Sequence, residues 1–234
     1  MSARPSLILI PALLVAAICA RLGFWQLGRL AERRAANAQI LAATALPVLD
    51  LNRGEGGTGR AERRGVARGT FDRSEEVVLR AFVYQGAPGV RIVTPLRLAG
   101  SDSAVLVLRG FVSADDAVHP STDSTDEPGE LEIRGVLKPI ASDTDGGAPL
   151  MSGNLTTWRR LDLPTLRKKI PYPILDVYLI AERDSVHHGF PIRLEPPALD
   201  DGPHLSYALQ WFAFAATALA VGAIIAFRPQ QRRQ

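Results

Sequence analysis

The sequence predicts an α+β membrane protein, in which two transmembrane helices, one near each terminus, flank a β-rich, mainly antiparallel extramembrane domain that could close into a barrel. Three observations carry this. From Leu205 to Phe227, 23 residues run without a charge, enough at 1.5 Å per residue to cross a hydrocarbon core of roughly 30 Å. Near the N-terminus, residues 7–20 are apolar, break at Arg21 and resume as LGFWQL. Between these runs lie about 175 residues in which short segments rich in Val, Leu and Ile alternate with Gly, Pro, Asn and Asp turn signals.

Residues 1–6 read as a cytoplasmic N-tail and 7–27 as transmembrane helix 1. A cleaved signal peptide is the alternative, because Arg4 supplies a basic n-region. A cut after Ala20 would, however, set the bulky Ile18 where a small residue is wanted, and a lipobox at Cys19 fails on the same residue. With Arg21 snorkelling or facing a partner helix, 7–27 provides 21 residues, a full span. Residues 204–227 form transmembrane helix 2. Arg228, Arg232 and Arg233 behind it hold the tail 228–234 on the cytoplasmic side. Both termini then lie in the cytoplasm of a plasma (inner) membrane protein, and 28–203 lies in the periplasm or an equivalent compartment. Arg21, Arg29, Arg33 and Arg34 run against this assignment, since they crowd the end of the first helix that is placed outside. Basic residues kept on the disfavoured side ask for an anionic partner.

The Ala-rich segment AERRAANAQILAATALPVL reads as a helix continuing into the aqueous phase and ended by Pro47. NRGEGGTGRAERRG, 52–65, is a Gly-rich loop. VARGTFD, EEVVLRAFVY, VRIVTPLRLA and AVLVLRGFV are strand-like. A Pro-Gly turn in QGAPG (85–89) and a Gly-Ser-Asp turn join the last three into an antiparallel meander. The acidic stretch 113–130 lacks an apolar period and reads as an exposed loop. LEIRGVLKPI resumes a strand, and NLTTWRRLDLPTLRKKI gives a strand end and then a short helix capped near Asp162. YPILDVYLIAER is another strand, and HHGFPIRLEPP is a final one leading back to the membrane.

Composition narrows the function. The formal net charge is +3, and the Arg excess behind it is spread along the chain with no basic stripe interleaved with aromatics, so nucleic acid is not an expected partner. The single cysteine, Cys19, lies in the first span and permits neither an intrachain disulfide nor a cysteine metal cluster. No GxSxG, HExxH or P-loop pattern occurs, so catalysis has no support in the sequence.

Spacings of three, four and three stack His204, Tyr207, Trp211 and Phe214 on one face of the second helix. An interfacial aromatic belt explains Tyr207 and Trp211 without any ligand. His204 has two readings, a plain helix-entry histidine or an axial ligand of haem iron, which favours a neutral imidazole in an apolar aromatic surround. Trp25, Gln26 and Arg29 emerge at the same leaflet, with Trp25 and Arg29 one turn apart. They form either an aromatic anchor with a snorkelling Arg or a cationic clamp for carboxylates such as haem propionates. Elsewhere, His187 and His188 are adjacent and would point to opposite faces of a strand. DTDG at 143–146 lacks the acidic twelfth position of a calcium loop, and Asp115, Asp116, His119 and Asp123 read as a solvated loop.

LGFWQLGRL in the first span, PGVRIVTPLRL with VLVLRGFV in the middle, and HLSYALQWFAFA at the second span together resemble the surfeit-locus family of cytochrome c oxidase assembly factors. The resemblance implies a non-enzymatic, two-span protein whose outer domain assists maturation of the oxidase catalytic subunit by transiently binding haem A and promoting its insertion. It implies that His204 binds the haem iron, with Trp211 close to the cofactor. Tyr207, Trp25 and Arg29 complete the expected cofactor-binding set, with Arg33 as a further propionate contact. The expected partners are the oxidase catalytic subunit, the lipid bilayer and, as a second candidate, haem A synthase. Gly23, Trp25, Gln26 and Arg29 match the first-span motif. Gly89, Thr94, Pro95, Arg109 and Gly110 match the middle blocks and are assigned to domain structure. The family commonly has Asn and Trp where this chain has Leu108 and Phe111. The alternative from a different class is a membrane-anchored scaffold that binds oxidase subunits without touching haem.

Overall fold

Among the described residues, the helix and strand periods in the sequence resolve into three α-helices, α1 (Pro5–Thr44), α2 (Leu163–Lys169) and α3 (His204–Ala226), and nine strands. The strands are β1 (Leu49–Asp50), β2 (Arg64–Phe71), β3 (Val77–Tyr84), β4 (Ala87–Leu98), β5 (Ala104–Ser113), β6 (Glu130–Pro139), β7 (Leu150–Ser152), β8 (Leu155–Trp158) and β9 (Ile174–Ala181). The computed structural model describes residues 5–54, 59–120, 127–143, 149–152, 155–183, 189–195 and 199–227. The chain divides into two units: Met1–Gln39 with Ala198–Gln234, and Ile40–Pro197.

The first unit is helical. At 1.5 Å per residue, the 23 residues of α3 run about 34 Å, and the 40 residues of α1 about 60 Å, nearly twice the hydrocarbon thickness. Only 17% of the apolar window of α1 and 11% of that of α3 is buried. A core helix of a soluble protein would bury most of such a surface, so these two helices present their leucines, isoleucines and phenylalanines to lipid. The remaining faces meet through small residues, as helices in lipid do. A Cβ on Gly222 would lie 2.5 Å from the Ala12 Cβ, one on Gly23 would lie 2.6 Å from the Phe212 ring, and Ala16, Cys19 and Ala208 are buried. Phe24 and Phe212 meet edge to face at 5.2 Å. The chain is therefore a membrane protein with a helix near each end of its length.

The second unit is a β domain. β2, β6, β9, β5 and β4 pair in that order, and β4 returns to β2, closing a five-stranded barrel. Six of the nine strand pairings in the sheet are antiparallel; β1–β2, β3–β8 and β5–β9 are parallel. All five barrel strands contribute to one apolar cluster, with Ala67, Leu96, Val105, Val107, Leu137 and Leu179 among its members. A second cluster lies on the opposite face of β5, where Leu106 and Leu108 pack with Trp158, Leu166 of α2 and Ile174. Central strand β5 thus buries both faces, which explains the unbroken apolar run AVLVL with which it begins. Closure depends on Gly69, which pairs with Leu98 on one side and Leu131 on the other. A Cβ there would sit 1.9 Å from the Arg97 carbonyl oxygen, the close backbone approach for which strands keep glycine.

Two local expectations change and one holds. The β3–β4 turn is Gln85-Gly86, with φ of 50° and 83°, a two-residue hairpin turn of the primed kind, so Pro88 and Gly89 already belong to β4. Gly89 is kept small by Phe111, whose ring would lie 2.4 Å from a Cβ at that site. Among its described residues, the stretch expected as a last strand forms a single bridge, Ile192 with Phe111, through reciprocal backbone bonds of 2.8 and 2.9 Å, while His187 and His188 lie outside the described residues. Asp162 does cap α2, accepting from the Thr165 N–H at 2.9 Å.

Candidate functional site at the end of the helix pair

The segment entering α3 is acidic, Asp200-Asp201-Gly202, and the face of α1 beside it is basic. Arg33 Nε donates to the Asp200 carbonyl at 3.2 Å, and its guanidinium lies 3.8 Å from the Asp200 carboxylate. Asn37 donates to the same carbonyl at 2.8 Å. Arg34 makes a forked contact with Asp201 at 2.7 and 2.9 Å and holds that carboxyl below the usual carboxylate range. Arg29 pairs with Glu32 at 2.5 Å. Three of the four cations that strain the positive-inside rule, Arg29, Arg33 and Arg34, therefore have anionic partners supplied by the chain itself.

His204, the first residue of α3, is half-buried, and its Nδ1–H donates to Gln26 Oε1 at 2.9 Å. An acceptor on Nδ1 leaves the lone pair on Nε2, the arrangement that protein-held imidazoles adopt when Nε2 faces a metal. Gly202 lies beside this edge of the ring, where a Cβ would come to 3.4 Å from Cδ2 and 3.6 Å from Nε2, and both residues line the same hollow. The Gly202 φ of 66° is in the left-handed region that glycine adopts without strain. Arg29, Glu32, Arg33, Asp200, Gly202 and His204 line one hollow of about 350 Å³. That is near the lower end of the roughly 300–1,000 Å³ of ligand sites, so the hollow would seat one edge of a porphyrin and not enclose it. The donor set fits a haem edge: one available imidazole nitrogen and two guanidinium groups, both already engaged by carboxylate oxygens.

The other expected residues sit apart from this hollow. Trp25 is exposed and lines a different depression of about 880 Å³ on α1 with Ala17, Ala20, Arg21 and Phe24. Arg21 is exposed there. Tyr207 is exposed, and Trp211 packs edge to face with Phe214 at 5.8 Å. Sequence reasoning singled out Arg29 and His204, which the structure brings to one hollow, but did not select Gln26 as a site residue and missed Glu32, Asp200 and Gly202. A signal existed: an acidic pair and a glycine directly before an uncharged span, opposite a run of arginines.

In the β domain, Arg109 has no exposed surface and is held by Glu76 at 3.2 Å and Glu127 at 3.4 Å; Thr94 donates to Glu76 at 2.7 Å. Arg193 pairs with Glu127 and donates to the Arg109 carbonyl, each at 2.5 Å. Burial lowers the Arg109 pKa, opposed by the two glutamates. Gly110, at φ 150°, would set a Cβ 2.2 Å from the Ile192 carbonyl oxygen. Phe111 packs with Tyr84 at 5.5 Å and Phe82 at 6.1 Å. Of the matched residues, Thr94, Arg109 and Gly110 thus serve the packing of the domain. In the acidic loop, Asp116 accepts from the Val118 and His119 amides and pairs with the His119 ring at 2.6 Å; chiefly that ring contact drives its carboxyl well below the ordinary range. Asp143 pairs with Arg160, and the rest of the DTDG turn lies outside the described residues. Among the described residues no three His, Cys, Asp or Glu side chains converge on a metal site.

The family model described as "SURF1 family" matches residues 13–216. A SURF1-like protein of Rickettsia felis is 27% identical over 86% of this chain and 88% of its own length. One from Rickettsia bellii is 26% identical over 86% and 83%, and one from Monosiga brevicollis is 26% identical over 86% and 80%. The family match runs from within α1, through the whole barrel, into α3, and so takes in both helices of the candidate site: the chain belongs to the SURF1 family.

Proposed function

We propose that this chain is a non-enzymatic assembly factor that holds haem A transiently at the mouth of its helix pair and promotes insertion of the haem into the oxidase catalytic subunit. Membership of the SURF1 family supports a role in oxidase assembly in general. The single observation that favours haem handling is His204, oriented by Gln26 through Nδ1 with Nε2 on the Gly202 side, in a hollow it lines together with Arg29 and Arg33. Haem A is here cargo. Nε2 would supply one axial nitrogen, the guanidinium groups would meet propionates, and Tyr207, Trp211 and Trp25 would offer apolar surface at the bilayer interface. One axial ligand and a shallow seat suit a carrier, which must release what it binds. In this reading both termini are cytoplasmic and 28–203 is extracytoplasmic, so the site opens at the outer leaflet.

The test is co-expression with haem A synthesis, purification, and comparison of wild-type and His204→Ala spectra. Haem A in the wild type and its loss in the variant are expected. Equal haem A in both overturns the ligand assignment. Haem in neither, with oxidase assembly still dependent on the protein, favours the scaffold reading.

A further inference from the structure

The two cations of the hollow are not free to receive a ligand. Arg29 is engaged by Glu32 at 2.5 Å, and Arg33 by the carbonyl and carboxylate of Asp200, and all four residues line the hollow with His204. All four side chains are about half or more exposed, so each pair is a weak, exchangeable contact and not a buried fixture. Resting on the haem reading above, we propose that Glu32 and Asp200 are resident stand-ins for the carboxylates of the cargo: loading exchanges them for propionates on Arg29 and Arg33, and their return drives release.

The consequence has a definite sign. A propionate gains only the difference between its own contact and the internal one it displaces, and it also enters the field of two nearby carboxylates. Neutralising those carboxylates should tighten binding, whereas if the acids only keep the surface hydrated their loss would do nothing. Arg34 and Asp201 make a forked pair of the same chemistry one residue along, yet do not line the hollow, so they serve as an internal control.

The experiment uses the full chain in detergent or nanodiscs, with hemin as probe and its dimethyl ester as a carboxylate-free comparison. Affinity is read from Soret titrations, and release from transfer to apomyoglobin. Glu32→Gln is the cleaner variant, since Asp200 Oδ1 also accepts from the Gly202 amide at 3.1 Å. Expected are a two- to five-fold tightening in Glu32→Gln, roughly ten-fold in Glu32→Gln/Asp200→Asn, slower transfer in both, and weakening in Arg29→Ala. The dimethyl ester should bind all acid variants alike, and Asp201→Asn should match the wild type. Unchanged or weaker hemin affinity in both acid variants, with His204-dependent binding intact in the wild type, overturns the exchange. Absence of His204-dependent binding in the wild type overturns the haem reading itself.

Discussion

Gln26→Leu isolates the contact on which the site geometry rests. Its Oε1 lies 2.9 Å from His204 Nδ1 and is the acceptor that fixes which imidazole nitrogen carries the proton. Leucine keeps the helix propensity of position 26 and suits a seam between two helices, so the variant removes the acceptor while keeping α1. A neutral hydrogen bond contributes about 1 kcal/mol, roughly five-fold in affinity. Loss of a partner that orients a metal-bound imidazole costs about 10- to 100-fold, because the tautomer and ring angle go with it. With His204 only half-buried, where water can replace the lost acceptor, the lower end applies, and hemin should bind about ten-fold more weakly. The ferric/ferrous midpoint potential should rise as well, since an imidazole without an acceptor is a poorer donor to ferric iron. Soret titration and spectroelectrochemistry measure the two quantities, with far-ultraviolet circular dichroism to verify the helices. Wild-type affinity and potential in Gln26→Leu, alongside loss of binding in His204→Ala, would refute the orienting role.

Gly69→Ala must move the Arg97 carbonyl from 1.9 Å to beyond 3.0 Å from the new Cβ, about 1.1 Å. It should therefore destabilise the barrel by about 3 kcal/mol in denaturant titration, and a near-neutral result would remove the closure argument. Arg109→Ala leaves Glu76 and Glu127 facing a desolvated gap. A loss of about 3–5 kcal/mol is expected, with Arg109→Lys recovering only part of it; wild-type stability in the alanine variant would contradict the pairing. Burial, reinforced at Tyr172 by its hydroxyl donating to Asp72 at 2.8 Å, raises the pKa of Tyr172, and burial does the same at Tyr178. A raised folded pKa contributes stability that is complete below the unfolded value of about 10 and is lost as pH rises through the folded value. Of the four tyrosines, these two should ionise at 295 nm only as the domain unfolds in alkali. Tyr172→Phe should remove about half of that late amplitude, and early ionisation of all four would exclude the reading.

What the sequence disclosed follows the range of the interactions involved. The second span was legible because a run of 23 uncharged residues is long enough to cross a hydrocarbon core, and the meander because β3, β4 and β5 are neighbours in chain and sheet. Asp162 announced α2 by local capping chemistry alone. Barrel closure was open because it depends on β2 returning to β4 and on β5 pairing in parallel with β9, contacts that no local period encodes. Gly69 and Gly135 carry that information as close approaches to Arg97 and Ile180 carbonyls, but a glycine in a strand reads equally as a bulge or a bend. The Gln85-Gly86 turn was displaced because Pro-Gly is the stronger textual signal, whereas Gly89 answers to the Phe111 ring 22 residues away. At the site, Arg29 and His204 stood out by type. Glu32 and Asp200 did not, since acids are ordinary surface residues until a fold sets them against arginines.

The seam of α1 explains why binding chemistry should gather at this place. Ala12, Ala16, Cys19, Gly23, Gln26, Leu30, Arg33 and Asn37 follow one another at alternating steps of four and three, a single stripe on the helix. Its lower members are small and meet Gly222 and Phe212, allowing the backbones to approach in lipid. At Gln26 the stripe turns polar, and from there it meets His204 and Asp200. The surface that joins the helices thus becomes, one turn further out, the surface that orients the imidazole. A site built on that register inherits the rigidity of the packed helices below it. On the proposed haem reading, its affinity could then be weakened by exposed, exchangeable ion pairs without loss of geometry, a combination that would suit a carrier. Gly23→Leu, which forces the seam apart against the Phe212 ring three residues from Gln26, should for that reason disturb hemin binding although residue 23 does not line the hollow. A Gly23→Leu protein with separated helices and wild-type hemin affinity would show that the seam and the site are independent.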